Sequence, residues 1–445
     1  MDKSFARCFS ASQEADQNSL QEVYRSVQVP AANSILRRFF AFFGPGYLIA
    51  VGYVDPGNWA TSLAGGAAYG YTLLAVALLS SMMAMLLQSL CARVGIATGK
   101  DLAQLCCSKF PRPVAWLLWI LAEIAICATD LAELIGTAIA LKLLFNIPCF
   151  LGVMLTALDA FLVLWLQMRG MRYLEAFMIA MIGLIAVCFI TQIAMANPDW
   201  NAVLSGYVPS SSIVTNSSEL YLAIGILGAT VMPHNLYLHT ATVQSRAYAR
   251  DRIGRQEAIR FAVLDSIIAL VIALLINSAI LILSASAFHF AGNLQVADID
   301  EAYQLINSAI GSNLASTLFA LALLACGLTA TVTATLSGQV VMEGFISFRL
   351  SPVMRRLLTR SIAIIPAMVV IWQHGESGMT SLLVLSQVIL SLQLPFAIVP
   401  LMMFSTDRKQ LGDFVAPRWQ GILGWSVAMI IIALNLKLLI DYFIA

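Results

Sequence analysis

The sequence predicts an all-α polytopic membrane protein of eleven transmembrane helices, ten of them forming two inverted five-helix repeats. Three observations predict it. Of 445 residues, 60% are hydrophobic and only 11% charged, whereas soluble domains carry about 25% charged residues. Apolar runs of around 20 residues, each long enough to cross the hydrocarbon core, recur along the chain. Two of these runs, one in each half, are interrupted by matched patches, Asp55-Pro56-Gly57-Asn58 and Met232-Pro233-His234-Asn235.

Residues 1–38 are polar and mixed in charge, which predicts a mobile cytoplasmic tail. The first 35 residues lack an apolar core, so no cleavable signal peptide is expected. Residues 39–445 form one transmembrane domain. Its spans fall at 40–62, 72–94, 114–140, 147–168 and 175–196 in the first half. Those of the second half fall at 219–244, 260–288, 311–336, 361–373 and 379–403, and a last span covers 420–443. Proline removes a backbone donor and clashes with the preceding turn, so spans one and six break at Pro56 and Pro233. Broken backbone at membrane depth is tolerated only where it lines a cavity or is packed in protein. Each repeat, 39–196 and 219–403, opens with a broken helix and has an odd number of spans, so the second is inverted relative to the first. The span at 420–443 lies outside this symmetry and is expected to be peripheral. Of the two longer outer connections, 197–218 carries Pro198, Pro209 and Ser210-Ser211-Ser212 and reads as an irregular loop, while 289–310 holds a short surface helix around Asp298-Ile299-Asp300-Glu301.

Charge placement sets the orientation. With the N-terminus inside, 23 of the 25 lysines and arginines fall on inner segments, and the outer loops 197–218 and 289–310 contain none. The C-terminus is then outside. The eight cysteines include no C-x-x-C pair, so neither a disulfide framework nor a cysteine metal site is expected.

The two breaks carry the candidate metal ligands. An aspartate at mid-membrane costs roughly 2.5–3.5 kcal/mol on insertion scales, so Asp55 is expected to face a cavity and a partner. As a bare helix cap it needs no cargo; as a carboxylate ligand it joins the amide oxygen of Asn58 one turn on and the freed carbonyl of Gly52. On span six, Met232 is the counterpart of Asp55, and Ala229 one turn earlier offers a second free carbonyl. Oxygen-only sites suit Mg²⁺ and Ca²⁺, whereas a thioether favours softer transition metals. The donor set therefore suggests Mn²⁺ or Fe²⁺.

Span three holds Glu123, Asp130 and Glu133 on one helical stripe. Three carboxylates in one span form either a proton route or a set of static ion pairs, for which Arg360 is the best basic partner. Carboxylates in low dielectric can load and release protons near neutrality. His234 sits inside the second break, and His239 lies five residues on, where it can extend a polar route or pair with the acidic stripe. Gln88 suits a helix–helix hydrogen bond, Asp159 and Asp265 suit helix packing or gating, and His289 and His374 fall in outer loops.

Asp-Pro-Gly-Asn at 55–58, together with Gly228-Ala229-Thr230-Val231-Met232-Pro233-His234-Asn235-Leu236-Tyr237-Leu238-His239, resembles the Nramp family of proton-coupled divalent metal transporters. Gly338 to Phe345 and Leu385 to Ser391 extend the likeness, which runs from about residue 40 to the end. The resemblance implies the inverted-repeat fold of sodium-coupled amino acid symporters. It implies Asp55, Asn58, Met232 and the Ala229 carbonyl as metal ligands, with Gln387 joining in some states. It further implies a proton network of Asp55, His234, Glu133, Asp130, Glu123 and Arg360, and it puts Gln88 near the metal path. Many members have alanine where this chain has Gly52, which leaves the carbonyl ligand intact.

These readings converge on a secondary transporter that imports Mn²⁺, Fe²⁺ and also Cd²⁺ with protons across a bacterial-type inner membrane. The metal ion and the proton are cargo; no resident cofactor, nucleic acid or obligatory protein partner is inferred. No G-x-x-x-x-G-K-[ST] loop is present, so ATP coupling and enzymatic turnover are not expected. The alternatives are a sodium-coupled symporter of an organic solute on the same fold, which the methionine beside a carboxylate disfavours, and a passive channel, which has no use for paired broken helices.

Overall fold

The structure is a computed structural model. It describes residues 19–20, 23–30, 34–159, 165–166, 168–294, 296, 298–310, 312–346, 354, 362–369, 373 and 378–444. Among them, eight helices are long and apolar enough to cross a membrane, and the chain is a multi-pass membrane protein. The count falls short of eleven because span six is two short helices rather than one long one, and because residues outside those described interrupt spans four and nine.

After a short helix α1 (Ile35–Phe42), span one is α2 (Pro45–Gly52) and α3 (Pro56–Tyr69). Then come α4 (Leu74–Thr98), a short amphipathic α5 (Leu102–Lys109), α6 (Arg112–Phe145), α7 (Cys149–Leu155) and α8 (Met171–Ala196). The loop expected at 197–218 contains two short helices, α9 (Trp200–Gly206) and α10 (Ser212–Thr215). Asp199 starts the first of them by accepting from the Asn201 and Ala202 amides. Span six is α11 (Ser217–Thr230) and α12 (Pro233–Thr242), followed by α13 (Arg252–Ser284), the short helix α14 (Ile299–Ile310) and α15 (Asn313–Ile346). The last helices are α16 (Gly378–Thr406), a single turn α17 (Arg408–Leu411) and α18 (Arg418–Ile444).

Both breaks fall where proline dictates: α2 stops at Gly52 with Pro56 opening α3, and α11 stops at Thr230 with Pro233 opening α12. The broken helices are the centre of the molecule. Helix α13 packs along α4 and α2, α15 lies between α6 and α8, and α16 packs against α3, α6 and α11. Helix α18 packs against α16 and also touches α11 and α4.

The described part of the N-terminal tail is folded down, against the expectation of a mobile segment. Strand β1 (Val27–Gln28) pairs in parallel with β2 (Arg246–Ala247), which follows α12. Leu20 and Val27 are buried, and the Leu20 amide donates to Glu343 at 3.1 Å. The chain beyond α12 runs extended, and its free edge accepts a short strand. Cys107 is disulfide-bonded, a pairing the cysteine spacing did not foretell. His289 is also not simply solvated: its Nδ1 is 2.9 Å from the Ala67 carbonyl.

Candidate metal centre

The backbone around the first break accounts for nearly all of its freed carbonyls. The Tyr53 carbonyl accepts from the amides of Asn58 (2.7 Å) and Asn277 (2.8 Å). The Val54 carbonyl accepts from the Cys326 thiol, and that of Asp55 accepts from the Trp59 amide. The Gly52 carbonyl is different, because its helical partner four residues on is Pro56, which has no N–H. The second break repeats the pattern: the residue four beyond Ala229 is Pro233. One carbonyl at each break is therefore denied its helical donor by the same rule.

Asp55 caps α3, with Oδ1 accepting from the Asn58 amide at 2.8 Å. Its Oδ2 faces the Gln387 amide of α16 at 3.5 Å. Gln387 lies so close to Gly57 that any Cβ there would collide with it, and its own carbonyl lies equally tight against Gly228 of α11. Gln387 thus touches both broken helices. Met232 holds the cap position of α12, and its sulfur accepts from the Asn235 amide at 3.6 Å. The same Asn235 amide abuts Gly52. Asp55 and Asn58 are consequently joined to Gln387, and Gly52 to Met232 through Asn235, with Ala229 one turn above Met232.

Asp55, Asn58, Ala229, Met232 and Gln387 are all 0% exposed. Three buried amide oxygens, Asn58 Oδ1, Asn235 Oδ1 and Gln387 Oε1, meet no donor among the described residues. Buried acceptors are seldom left unsatisfied, and amide oxygens of this kind bind cations. No cluster of three or more His, Cys, Asp and Glu side chains with metal-binding geometry occurs among the described residues. The donor set is one carboxylate, amide and backbone oxygens, and a thioether.

Along α6, Asp130 and Glu133 are buried and Glu123 is half-buried, accepting from the Trp119 indole at 3.1 Å. His234 lies beside this helix, with Nδ1 3.4 Å from the Thr129 hydroxyl and Nε2 without a hydrogen-bond partner among the described residues. His239 does not join the acidic stripe. Five residues turn it well away from His234 on the helix, and it meets Gln88 at 2.8 Å and Ser266 at 3.2 Å instead. Gln88 in turn donates to the Tyr53 hydroxyl at 2.7 Å, the helix–helix bond expected of it. Asp159 accepts from Thr331 at 3.2 Å. Arg360 and His374 lie outside the described residues.

Asn277 escaped the sequence reading, since a polar residue inside an apolar run was its only signal, and Asn235, named there as part of the second break, supports Met232. Asp265 of α13 accepts from the Gly44 and Gly46 amides at the start of α2 (3.1 and 2.6 Å). Beside it, fully buried Arg246 pairs with Glu175 at 2.7 Å and donates to the Phe42 and Phe43 carbonyls.

The profile of a family described as natural resistance-associated macrophage protein-like matches residues 46–441. A divalent metal cation transporter, MntH, of Mesorhizobium japonicum is 58% identical over 434 residues, covering 97% of this chain and 96% of the relative. The crystal structure of the Eremococcus coleocola manganese transporter superposes with a TM-score of 0.87 at 42% identity, covering 96% of this chain and 90% of that one. MhsT, solved with L-phenylalanine, shares the fold alone at 16% identity and a TM-score of 0.60, covering 89% of this chain and 97% of that one.

Proposed function

The chain belongs to the Nramp family, and from that membership we propose that it is a secondary transporter importing Mn²⁺, together with Fe²⁺ and Cd²⁺, driven by the proton gradient across a bacterial-type inner membrane. The observation that carries this reading is the pairing of two unwound turns, one offering a carboxylate and amide oxygens and the other a thioether, each with a carbonyl its proline cannot satisfy. The Asp55 carboxylate supplies the charge. The Asn58 oxygen and the Gly52 and Ala229 carbonyls replace part of the ion's water shell, and Gln387 joins as the helices move. The Met232 sulfur disfavours Ca²⁺ and Mg²⁺, which take oxygen ligands.

In this reading protons pass by His234 to Glu133, Asp130 and Glu123, with Arg360 as their basic partner. A cavity of about 370 Å³, lined by Ala64, Tyr221, Thr380 and Val384 among others, opens beside α3, α11 and α16 on the outer side. On the inner side, Tyr53, Gln88, His239 and Ser266 form a hydrogen-bonded chain beneath the site. Rocking α2 and α12, which carry Tyr53 and His239, away from Gln88 and Ser266 would open the site inward. The N-terminus is assigned to the cytoplasm and the C-terminus to the outside.

The test is Mn²⁺ uptake into liposomes holding the purified protein, with proton entry followed in parallel. We expect an acid exterior to accelerate uptake, Cd²⁺ to compete, and alanine and leucine to have no effect. Uptake indifferent to the pH gradient removes the coupling. Competition by an amino acid with a sodium requirement favours the organic-solute symporter.

A further inference from the structure

Below the transport path, on the side where α12 ends, the docked N-terminal segment closes a second polar cavity of about 60 Å³. Tyr24, Arg25, Arg246, Tyr248, Arg250 and Arg255 line it, together with the end of α4. Four arginines thus border one small polar space, although the Arg246 guanidinium itself is taken up by Glu175 and the Phe42 and Phe43 carbonyls. Among the described residues, Arg246 alone of these four has a carboxylate partner, Glu175. Arg25 donates to the Tyr248 carbonyl and Arg255 to the Ala97 carbonyl, both at 3.2 Å, and Arg250 to the Tyr24 hydroxyl. These acceptors are neutral. The neighbouring acids are engaged elsewhere: Asp251 caps α13, Glu257 pairs with Arg38 and Asp413 with Arg252.

Like charges gathered without a counter-charge repel one another, most strongly where burial lowers the dielectric. Of the three without a carboxylate partner among the described residues, Arg25 and Arg255 are half-buried and Arg250 is exposed. The arrangement is held by the backbone. Arg25 has φ of 52°, a left-handed conformation uncommon outside glycine, and its amide is anchored on the Gln244 carbonyl at 3.1 Å. The β1–β2 pairing begins two residues later.

We propose that this cavity is an oxyanion site for a phosphate group, and that its occupant ties the N-terminal strand to the α12–α13 connection. Arginine forks match the paired oxygens of phosphate, and the cavity is of the size of a small tetrahedral anion. Arg25 comes from the tail, Arg246 and Arg250 from the connection and Arg255 from the first turn of α13, so one anion bridges the tail to the connection. Free phosphate and the head group of an anionic phospholipid share this chemistry, and the site lies at the helix ends, where head groups lie. The proposal does not depend on the cargo or on the direction of transport.

The experiment is calorimetric titration of the purified full-length protein, in neutral detergent, with inorganic phosphate and separately with short-chain phosphatidylglycerol. Arg25→Gln combined with Arg250→Gln is expected to weaken binding at least about tenfold, because each charge-assisted bond contributes substantially. Arg252→Gln, whose side chain pairs with Asp413 outside the cavity, should bind like the parent. Binding of inorganic phosphate assigns the site to the free anion, and binding of the lipid alone assigns it to a head group. No binding of either, or equal binding by the double variant, overturns the site. The tie has its own readout. Ser26 is exposed, and maleimide labelling of Ser26→Cys should slow when the anion is added, but not in the double-variant background. Unchanged labelling in the presence of bound anion overturns the tie.

Discussion

Met232 is the residue on which selectivity turns. Its sulfur is fully buried, caps no amide of its own helix, and is oriented by Asn235. Met232→Ala should preserve part of the Mn²⁺ uptake while admitting Ca²⁺ or Mg²⁺ as competitors; competition assays with unchanged discrimination would remove the thioether from the site. Asp55 acts differently, because it supplies the only carboxylate among the proposed ligands. Asp55→Ala should abolish Mn²⁺ binding in calorimetry, and a retained isotherm would exclude it as a ligand. The positions of both residues were legible because proline acts locally: any Pro56 or Pro233 in a helical run denies a donor to the residue four before it. Asn277 and Cys326 were not legible, and of Asn235 only the place in the second break was. The partner of each is set by packing that no spacing reports. His234 and His239 show the same limit, since the rotation between them was calculable but the presence of Ser266 and Gln88 around His239 was not.

At the scale of elements, the start of α2 is fastened by charge. Asp265 caps it from α13, Arg172 donates to the Ala41 and Phe43 carbonyls, and Arg246 bridges Glu175 to Phe42 and Phe43. Arg246→Ala would leave Glu175 buried without its closest partner, a loss on the order of 3–5 kcal/mol, to be seen as a lowered thermal midpoint in detergent. Helix α5, outside the membrane-spanning segments, is fastened by a capping box in which Asp101 accepts from the Gln104 amide at 2.9 Å and Gln104 returns the bond at 3.1 Å. Burial raises Asp101 to about 6, against the pull of the Gln104 and Ala103 amides. Unfolded, this carboxyl titrates near 3.9, so the folded protein takes up the proton first as pH falls. Its ionised form therefore destabilises the fold above about pH 6, and stability rises as pH drops from about 7 toward 4, by an amount on the order of 2–3 kcal/mol. Asp101→Asn keeps a capping side chain and should raise the midpoint at pH 8 while flattening that dependence; a steeper profile would contradict the assignment. The helices themselves were legible from apolar run length, but their ends were not. Helix α6 reaches from Arg112 to Phe145, past the apolar window of 114–140, because a helix continues into the interface wherever nothing stops it.

For the whole molecule, the asymmetry between its two sides follows from what covers each. On the side proposed as outer, the cavity beside Tyr221 and Thr380 is open and no lysine or arginine sits in the two longer loops. On the opposite side, Leu20 and Val23 of the tail close a small cavity against Met171, Leu174, Thr242 and Leu336, drawn from α8, α12 and α15. In the proposed transport cycle the tail would bridge helices of both repeats that separate on inward opening. Composition could not reveal this, since a polar tail and a docked one have the same residues, and two paired strand residues leave no periodic signature. Removing residues 1–30 should therefore loosen the inner side alone. Thr242→Cys is fully buried beneath Leu20 and should be unreactive to maleimide from the inner side in the full chain, then react at least about tenfold faster in the truncated one, as expected when a local opening becomes cheaper. Tyr221→Cys, labelled from the outer side, should be unaffected. If the truncation leaves Thr242→Cys as slow as before, the tail does not cover the inner mouth, and the closure must rest on Arg246 and the Tyr53–Gln88–His239 chain without it.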